Sequence, residues 1–351
     1  MKHKDLNEKQ HAGRLFLIMV KHFNFRQLYM HKHKSIIFVY GPTAVGKSDY
    51  ALALAQDLPI EIVNCDVGQF YTPLSIGTAK PDWKNEVVPH HLFDIIDEPR
   101  DYTVVEYKKA LLTLCEEIWA RGSLPVVVGG SGFYIKSLFF PPSKETTALT
   151  GTDEKFKNET TKELWHQLQT IDPERAQVLH PNDRYRIERS LTLASIERSI
   201  TSLQPTYEDL GVPFLLLCLS REKEELYQRI NERTEKMLRE GWIDEVSDLQ
   251  KSLWAPFLKH KKLIGYDIIL AALEHPDAYE YEIVVKTIAQ KTRHYAKRQI
   301  TFWRMLQKAL APHVNASSML KEVLMSDTQE SLNAYKNIIL EFLKTVKRNN
   351  P

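Results

Sequence analysis

Hydrophobic positions in this chain fall into a few short runs, separated by longer stretches in which they recur every three or four residues. Ile36, Ile37, Phe38, Val39 and Tyr40 form the first run, which ends at Gly41. An apolar run without polar alternation predicts a strand buried on both faces. Ile60 to Cys65, ending at Asp66, predicts a second such strand; Pro125 to Val128, ending at Gly129 and Gly130, a third; and Phe214 to Leu219 a fourth. Between them, Ser48 to Leu58 predicts a helix, and Val104, Val105, Leu111, Leu114, Cys115 and Ile118 recur at helical spacing. A charged amphipathic helix is predicted from about Glu222 to Glu240, closed by Gly241 in the position favoured for a helix C-terminus. Strands alternating with helices predict an α/β fold, a parallel sheet flanked by helices.

Between the third and fourth strands the composition shifts. Ser143 to Thr161 is polar, and about Glu163 to Ser199 predicts two helices, broken at Asp172-Pro173 and at His180-Pro181-Asn182-Asp183. The expected organisation is a core of residues 35–141 and 206–312 interrupted by an inserted helical subdomain, 142–205. Beyond the fourth strand the chain reads as mostly helical. Leu332, Tyr335, Ile338, Ile339, Phe342 and Leu343 share one face of a final packing helix in a tail, 313–351. Residues 1–34 are rich in Lys, His and Arg, with one apolar cluster, Leu15 to Val20, too short for an export signal or a bilayer span. They read as a basic, unstructured extension or a start placed ahead of Met19 or Met30, with an RNA-contacting arm as the alternative.

Composition narrows the class. With 351 residues, 43% hydrophobic and 26% charged, the chain is an ordinary globular protein of about two domains; collagenous, disordered and membrane-spanning classes are excluded. A net charge of +2 means that any nucleic-acid surface must come from local clustering of the 47 Lys and Arg residues. Cys65, Cys115 and Cys218 are too few and too scattered for a disulfide framework or a four-cysteine zinc site, so a reduced, cytoplasmic setting is expected. Adjacent His90 and His91 cannot both face one site on a regular strand. Trp119, Trp165, Trp242 and Trp303 read as packing residues.

The strongest chemical signal is Gly41-Pro42-Thr43-Ala44-Val45-Gly46-Lys47-Ser48, a complete G-x-x-x-x-G-K-[ST] phosphate loop between a predicted strand and a predicted helix. Backbone N–H groups at a helix N-terminus present positive charge to phosphate oxygens, and small residues let the backbone come close. Lys47 adds a full charge, and the Ser48 hydroxyl can join a Mg²⁺ shell. The loop alone establishes only a diphosphate or triphosphate ligand. An NTPase usually ends a neighbouring strand with a metal-holding Asp, whereas Val126-Val127-Val128 runs into Gly129-Gly130-Ser131. Asp66 instead ends the second strand, at the sheet edge where ligands of open α/β sheets bind. It reads as a general base or metal-shell ligand, or as a cap of the following loop.

Taken in order, the motifs resemble those of the tRNA dimethylallyltransferases, also called tRNA isopentenyltransferases, from about Ile36 to Arg304. After the phosphate loop come Asp66 with Gln69 and Tyr71; Ile76-Gly77-Thr78-Ala79-Lys80-Pro81; Pro89-His90-His91-Leu92-Phe93-Asp94-Ile95; and Pro125 through Tyr134. Downstream lie Asn182-Asp183 with Arg186 and Arg189, Arg229 to Gly241, Ile264-Gly265-Tyr266, and Thr292-Arg293 with Ala296-Lys297-Arg298-Gln299. The resemblance implies that Gly41 to Ser48 bind the diphosphate of dimethylallyl diphosphate, and that the prenyl group passes to the N6 amine of the adenosine 3′-adjacent to the anticodon. It implies Asp66 as the base, Ser131 beside the diphosphate and target base, and Arg233 neutralising the leaving group. It also implies tRNA contacts at Asp66, Val67, Gly68 and Gln69; at Tyr185, Arg186, Ile187, Glu188 and Arg189; at Gly265 and Tyr266; and at Arg293, Lys297 and Arg298. The implied cofactor is Mg²⁺, and the expected partner is the anticodon stem-loop, bound by a monomer.

The chain departs from the family pattern at Val67, where Ser is usual, at Ser131, where Thr is usual, and at Asp267, where Arg or Lys is common. These departures bear on tRNA preference and rate. Competing readings are a phosphate-loop kinase, an isopentenyltransferase of free adenine nucleotides, and a non-catalytic tRNA-binding relative.

Overall fold

The computed structural model describes residues 34–142, 155–195, 205–275, 277 and 280–349. The expected basic extension, apart from Lys34, lies outside these residues, as do 143–154 of the polar segment and the end of the second expected insert helix. The chain divides into two compact units, one of residues 1–135 and 210–351 and the other of residues 136–209.

In the first unit, β1 (Ile36–Tyr40), β2 (Ile60–Asn64), β4 (Leu124–Gly129) and β5 (Phe214–Ser220) coincide with the four apolar runs to within a residue or two. Among the described residues the sheet nevertheless has six strands, ordered β3-β2-β4-β1-β5-β6 and paired in parallel throughout. The two additions are the edges, β3 (His90–His91) and β6 (Met319–Leu324). Edge strands bury little and so carry no apolar run: of β6 only Val323 is buried, and Lys321 and Glu322 point charge at the edge. The second histidine of β3 accounts for its own side chain, His91 Nε2 meeting the buried Glu61 at 2.7 Å.

Helix α1 (Lys47–Leu54) follows β1, and α2 (Val104–Ala120) starts at a capping box in which Thr103 and Glu106 satisfy each other's backbone N–H groups. Helix α3 (Gly132–Phe139) follows β4. After β5, α7 (Lys223–Met237) passes through a π turn, Leu238–Trp242, into α8 (Ile243–Gln250). Gly241 takes the expected left-handed conformation, φ 103°, yet the helical path resumes at once because Leu238 and Trp242 on either side are both buried. Helices α9 (Trp254–Lys261), α10 (Tyr266–Glu274) and the 30-residue α11 (Tyr281–Leu310) follow, and α12 (Gln329–Asn349) lays Tyr335, Ile339, Phe342 and Leu343 into the sheet core. Among the described residues no helix is long and apolar enough to cross a membrane. All three cysteines are buried and free, and burial pushes the Cys65 and Cys115 thiols up to about 12.

Among the described residues of the second unit, three helices stand where two were expected: α4 (Thr161–Ile171), α5 (Pro173–Val178) and α6 (Arg184–Ala194). Pro173 starts a helix instead of merely ending one, since its missing N–H is no loss at the first helical position. Phe156, Leu164, Leu168, Ala176, Ile187 and Leu191 form the small core of this unit.

Candidate active site

The Gly41–Ser48 loop leaves the carboxyl end of the central strand β1 and enters α1. Gly46 caps that helix at φ 100°, a conformation that a side chain would strain. The Lys47 ammonium donates to the carbonyls of Gly41 at 3.0 Å and Pro42 at 2.9 Å, folding back over the loop. Burial pushes it down to about 8; Asp66 pulls the other way and Arg233 reinforces the shift. Ser48 is exposed at the start of the helix. Arg229 on α7 braces the loop, donating to the Ala44 carbonyl at 3.0 Å while pairing with Asp327 at 3.1 Å.

A cavity of about 380 Å³ opens beside the loop. Its polar lining includes Thr43 of the loop, Asp66 after β2, Ser131 after β4, Lys262, Arg233 on α7 and Arg298 on α11; its apolar lining includes Ala44, Ile230, Met237, Trp242, Leu263, Ile264 and Ile288. The carboxyl ends of β1, β2 and β4 thus converge on one crevice, as parallel pairing requires.

Asp66 is fixed by short-range bonds. Its Oδ1 accepts the Gly68 N–H at 3.2 Å, capping the 3₁₀ turn Val67–Phe70, and its own N–H donates to Asn64 Oδ1 at 2.9 Å. Loop cap and cavity carboxylate are therefore one residue. Protein surrounds the carboxylate on most sides, so burial raises it above the usual carboxylate range; Lys47, the Gly68 N–H and Arg233 draw it back in part. Burial likewise lowers the Arg233 guanidinium from its ordinary value, opposed by Asp66. Ser131, 9% exposed, accepts the Val67 N–H at 3.0 Å.

The residues expected to touch RNA separate into several groups. Val67 and Gly68 line the cavity, but the Gln69 amide is spent on the neighbouring loop, donating to the carbonyls of Thr78 at 3.1 Å and Ala79 at 3.3 Å. Tyr266 is a buried wall rather than an exposed contact, because its hydroxyl donates to Glu245 at 2.6 Å. Gly265 makes room for Trp242: a Cβ there would lie 2.0 Å from the Trp242 ring. Trp242 therefore packs, as expected, and also lines the cavity. Arg293 donates to Asn231 at 2.5 Å, while Lys297 and Arg298 are exposed and line a groove with His294, Thr301, Phe302 and Met305. Asp267 pairs with Lys291 on α11 at 3.0 Å.

In the second unit Tyr185 is 66% exposed and Arg186 pairs with Asp183 at 2.9 Å. Ile187 is fully buried in that unit's core and Glu188, 8% exposed, pairs with Arg184 at 2.6 Å. The five-residue run 185–189 does not share one exposed face: consecutive residues of a helix point around its whole circumference, and Ile187 and Glu188 are buried.

Three positioning groups were given no role in the sequence reading. Asn64 holds the Asp66 backbone; Glu245 accepts the consecutive N–H groups of Ser75 at 3.0 Å, Ile76 at 2.7 Å and Gly77 at 3.2 Å; and Gln299 accepts from Thr43 N–H at 2.9 Å and donates to Gly130 at 2.8 Å. A signal existed for Gln299, a polar residue on the buried stripe Ala296, Gln299, Trp303, Leu306 of α11. Among the described residues no cluster of three His, Cys, Asp or Glu side chains could cage a metal. The exposed Ser48 hydroxyl is an oxygen that could join the shell of a divalent cation that keeps much of its water.

The family model described as IPP transferase matches residues 69–306. The tRNA dimethylallyltransferase of Geobacter sulfurreducens is 36% identical over 277 residues, 77% of this chain and 88% of that protein. That of Thermotoga petrophila is 35% identical over 280 residues, 78% and 91%. Among solved structures, the tRNA isopentenylpyrophosphate transferase of Bacillus halodurans superposes with a TM-score of 0.60 at 27% identity, covering 90% of this chain and 98% of its own.

Proposed function

The chain belongs to the IPP transferase family, and from that membership we propose that it transfers a dimethylallyl group from dimethylallyl diphosphate to the N6 amine of the adenosine 3′-adjacent to the anticodon in tRNA, releasing pyrophosphate. The observation that carries this reading is the shared cavity: the phosphate loop, the Asp66 carboxylate and Arg233 meet there beside an apolar lining. A charged head and a short hydrocarbon tail fit that division.

The loop amides, Lys47 and Arg233 hold the diphosphate, Arg233 with its planar fork of donors. The apolar residues receive the tail. An adenine amine is a weak nucleophile, since its lone pair is delocalised into the ring. As nitrogen attacks the allylic carbon, the carbon–oxygen bond breaks, its electron pair leaves with pyrophosphate, and Asp66 takes the proton from nitrogen. Burial suits Asp66 to this work by raising its basicity. Negative charge grows on the bridging oxygen, where Lys47 and Arg233 are most effective. Bound at Ser48, Mg²⁺ would add positive charge to the same leaving group. The target base must leave the loop stack to reach the cavity, and the cationic Arg293, Lys297 and Arg298 of α11 are side chains of the type that holds RNA, as, in the other unit, are Tyr185 and Arg186 of α6.

The test is incubation with labelled dimethylallyl diphosphate, Mg²⁺ and either unmodified tRNA or adenosine monophosphate. Label in tRNA alone is the expected result. Label in the mononucleotide alone, or none despite tRNA binding, would replace this reading with one of its competitors.

A further inference from the structure

Gln299 is 4% exposed and joins the segments that leave β1 and β4. Its Oε1 accepts the Thr43 N–H at 2.9 Å, its Nε2 donates to the Gly130 carbonyl at 2.8 Å, and its main-chain carbonyl accepts the Tyr40 hydroxyl at 2.8 Å. Thr43 belongs to the loop after β1, and Gly130 to the turn after β4. The fit is close: a Cβ at Gly130 would lie 2.3 Å from Nε2. From Gly130 the connection continues to Asp66, because Ser131 donates its N–H to Cys65 at 3.3 Å and accepts the Val67 N–H at 3.0 Å.

We infer that Gln299 is a positioning residue that sets the distance between the diphosphate loop and the segment carrying the general base, an inference that rests on the function proposed above. The two groups do opposite jobs on one reacting carbon. One grips what departs and the other activates what arrives, and misplacement by about 1 Å can cost on the order of a hundredfold in rate. A carboxamide is the side chain suited to this junction. It offers one acceptor to an N–H and one donor to a C=O, whereas an ionised Glu would turn acceptor oxygens toward both, and an apolar residue would strand both backbone groups.

The placement on α11 adds a second consequence. Lys297 and Arg298 immediately precede Gln299 and are exposed, and Arg298 also lines the cavity. One helix therefore carries basic side chains toward RNA and, on its buried stripe, the amide that spaces the two loops.

The experiment compares wild type with Gln299→Met, which keeps length and volume but has no hydrogen-bonding amide. Prenyl transfer to tRNA gives kcat and KM for dimethylallyl diphosphate, filter binding gives tRNA affinity, and a thermal melt gives the folded fraction. Per folded molecule, kcat/KM for the donor is expected to fall about ten- to a hundredfold, with donor KM itself rising, while tRNA affinity stays within about threefold. A merely packing role would lower the melting temperature and leave donor KM and kcat per folded molecule unchanged, which overturns the inference. So would loss of tRNA affinity with donor parameters intact. Should the Met variant not fold, Gln299→Glu, which keeps an acceptor for Thr43 and loses the donor to Gly130, is read in the same way. Failure of the wild type to transfer label would instead count against the proposed function.

Discussion

The Ser131 hydroxyl accepts a 3.0 Å hydrogen bond from the main-chain N–H of Val67, the residue that follows Asp66. Two strand ends that are neighbours in the sheet but far apart in sequence are tied by it. The bond also bears on two departures from the family pattern. Ser in place of Thr keeps the oxygen, and Val in place of Ser is immaterial to this contact because the backbone makes it.

Ser131→Ala is therefore expected to leave the Val67 N–H without an acceptor, lowering kcat by about tenfold or more through displacement of Asp66. Ser131→Thr restores the oxygen and is expected to remain within about threefold of wild type. Steady-state kinetics on the two variants checks the pair. An equal loss in both would mean that Ser131 matters for its size.

The pH dependence of kcat/KM should be bell-shaped. Asp66 acts as a base only when ionised, and burial raises its pKa, so activity climbs with pH through a limb above the ordinary carboxylate range. Lys47 grips diphosphate only when protonated, and burial pushes it down to about 8, so the profile of the free enzyme declines as pH rises through that value. Asp66→Asn should remove the acid limb from whatever transfer remains. An alkaline limb beyond about 10, the ordinary lysine range, would contradict the depressed Lys47.

Arg233 shares the cavity with Asp66 and Thr43. Arg233→Lys retains a charge but not the planar fork, and is expected to raise donor KM and lower kcat together, with kcat/KM down by about a hundredfold or more. Product inhibition by pyrophosphate should weaken in parallel. Unchanged inhibition would place the diphosphate away from Arg233.

The central sheet was legible in the sequence because β1, β4 and β5 are buried on both faces and so carry unbroken apolar runs. The edges were not: His90–His91 is two residues long, and Met319–Leu324 buries Val323 alone. The loop at Gly41–Ser48 and the carboxylate after β2 were legible because their chemistry is local. What was not legible is the long-range bracing. Gln299 meets Thr43 across 256 residues of sequence, and Glu245 meets Gly77 across 168. Nor was the burial of Ile187 legible, since its neighbours' basic character says nothing about the inward side of α6.

The central claim is that Asp66 takes a proton from an RNA amine whose prenyl donor is held by the adjoining loop. Single-turnover transfer by Asp66→Asn, with tRNA affinity measured on the same preparation, tests it most directly. The rate is predicted to fall about a thousandfold, within the range ascribed to general bases, with tRNA affinity within about threefold of wild type. A rate near that of wild type, or an affinity that collapses along with the rate, would contradict the account.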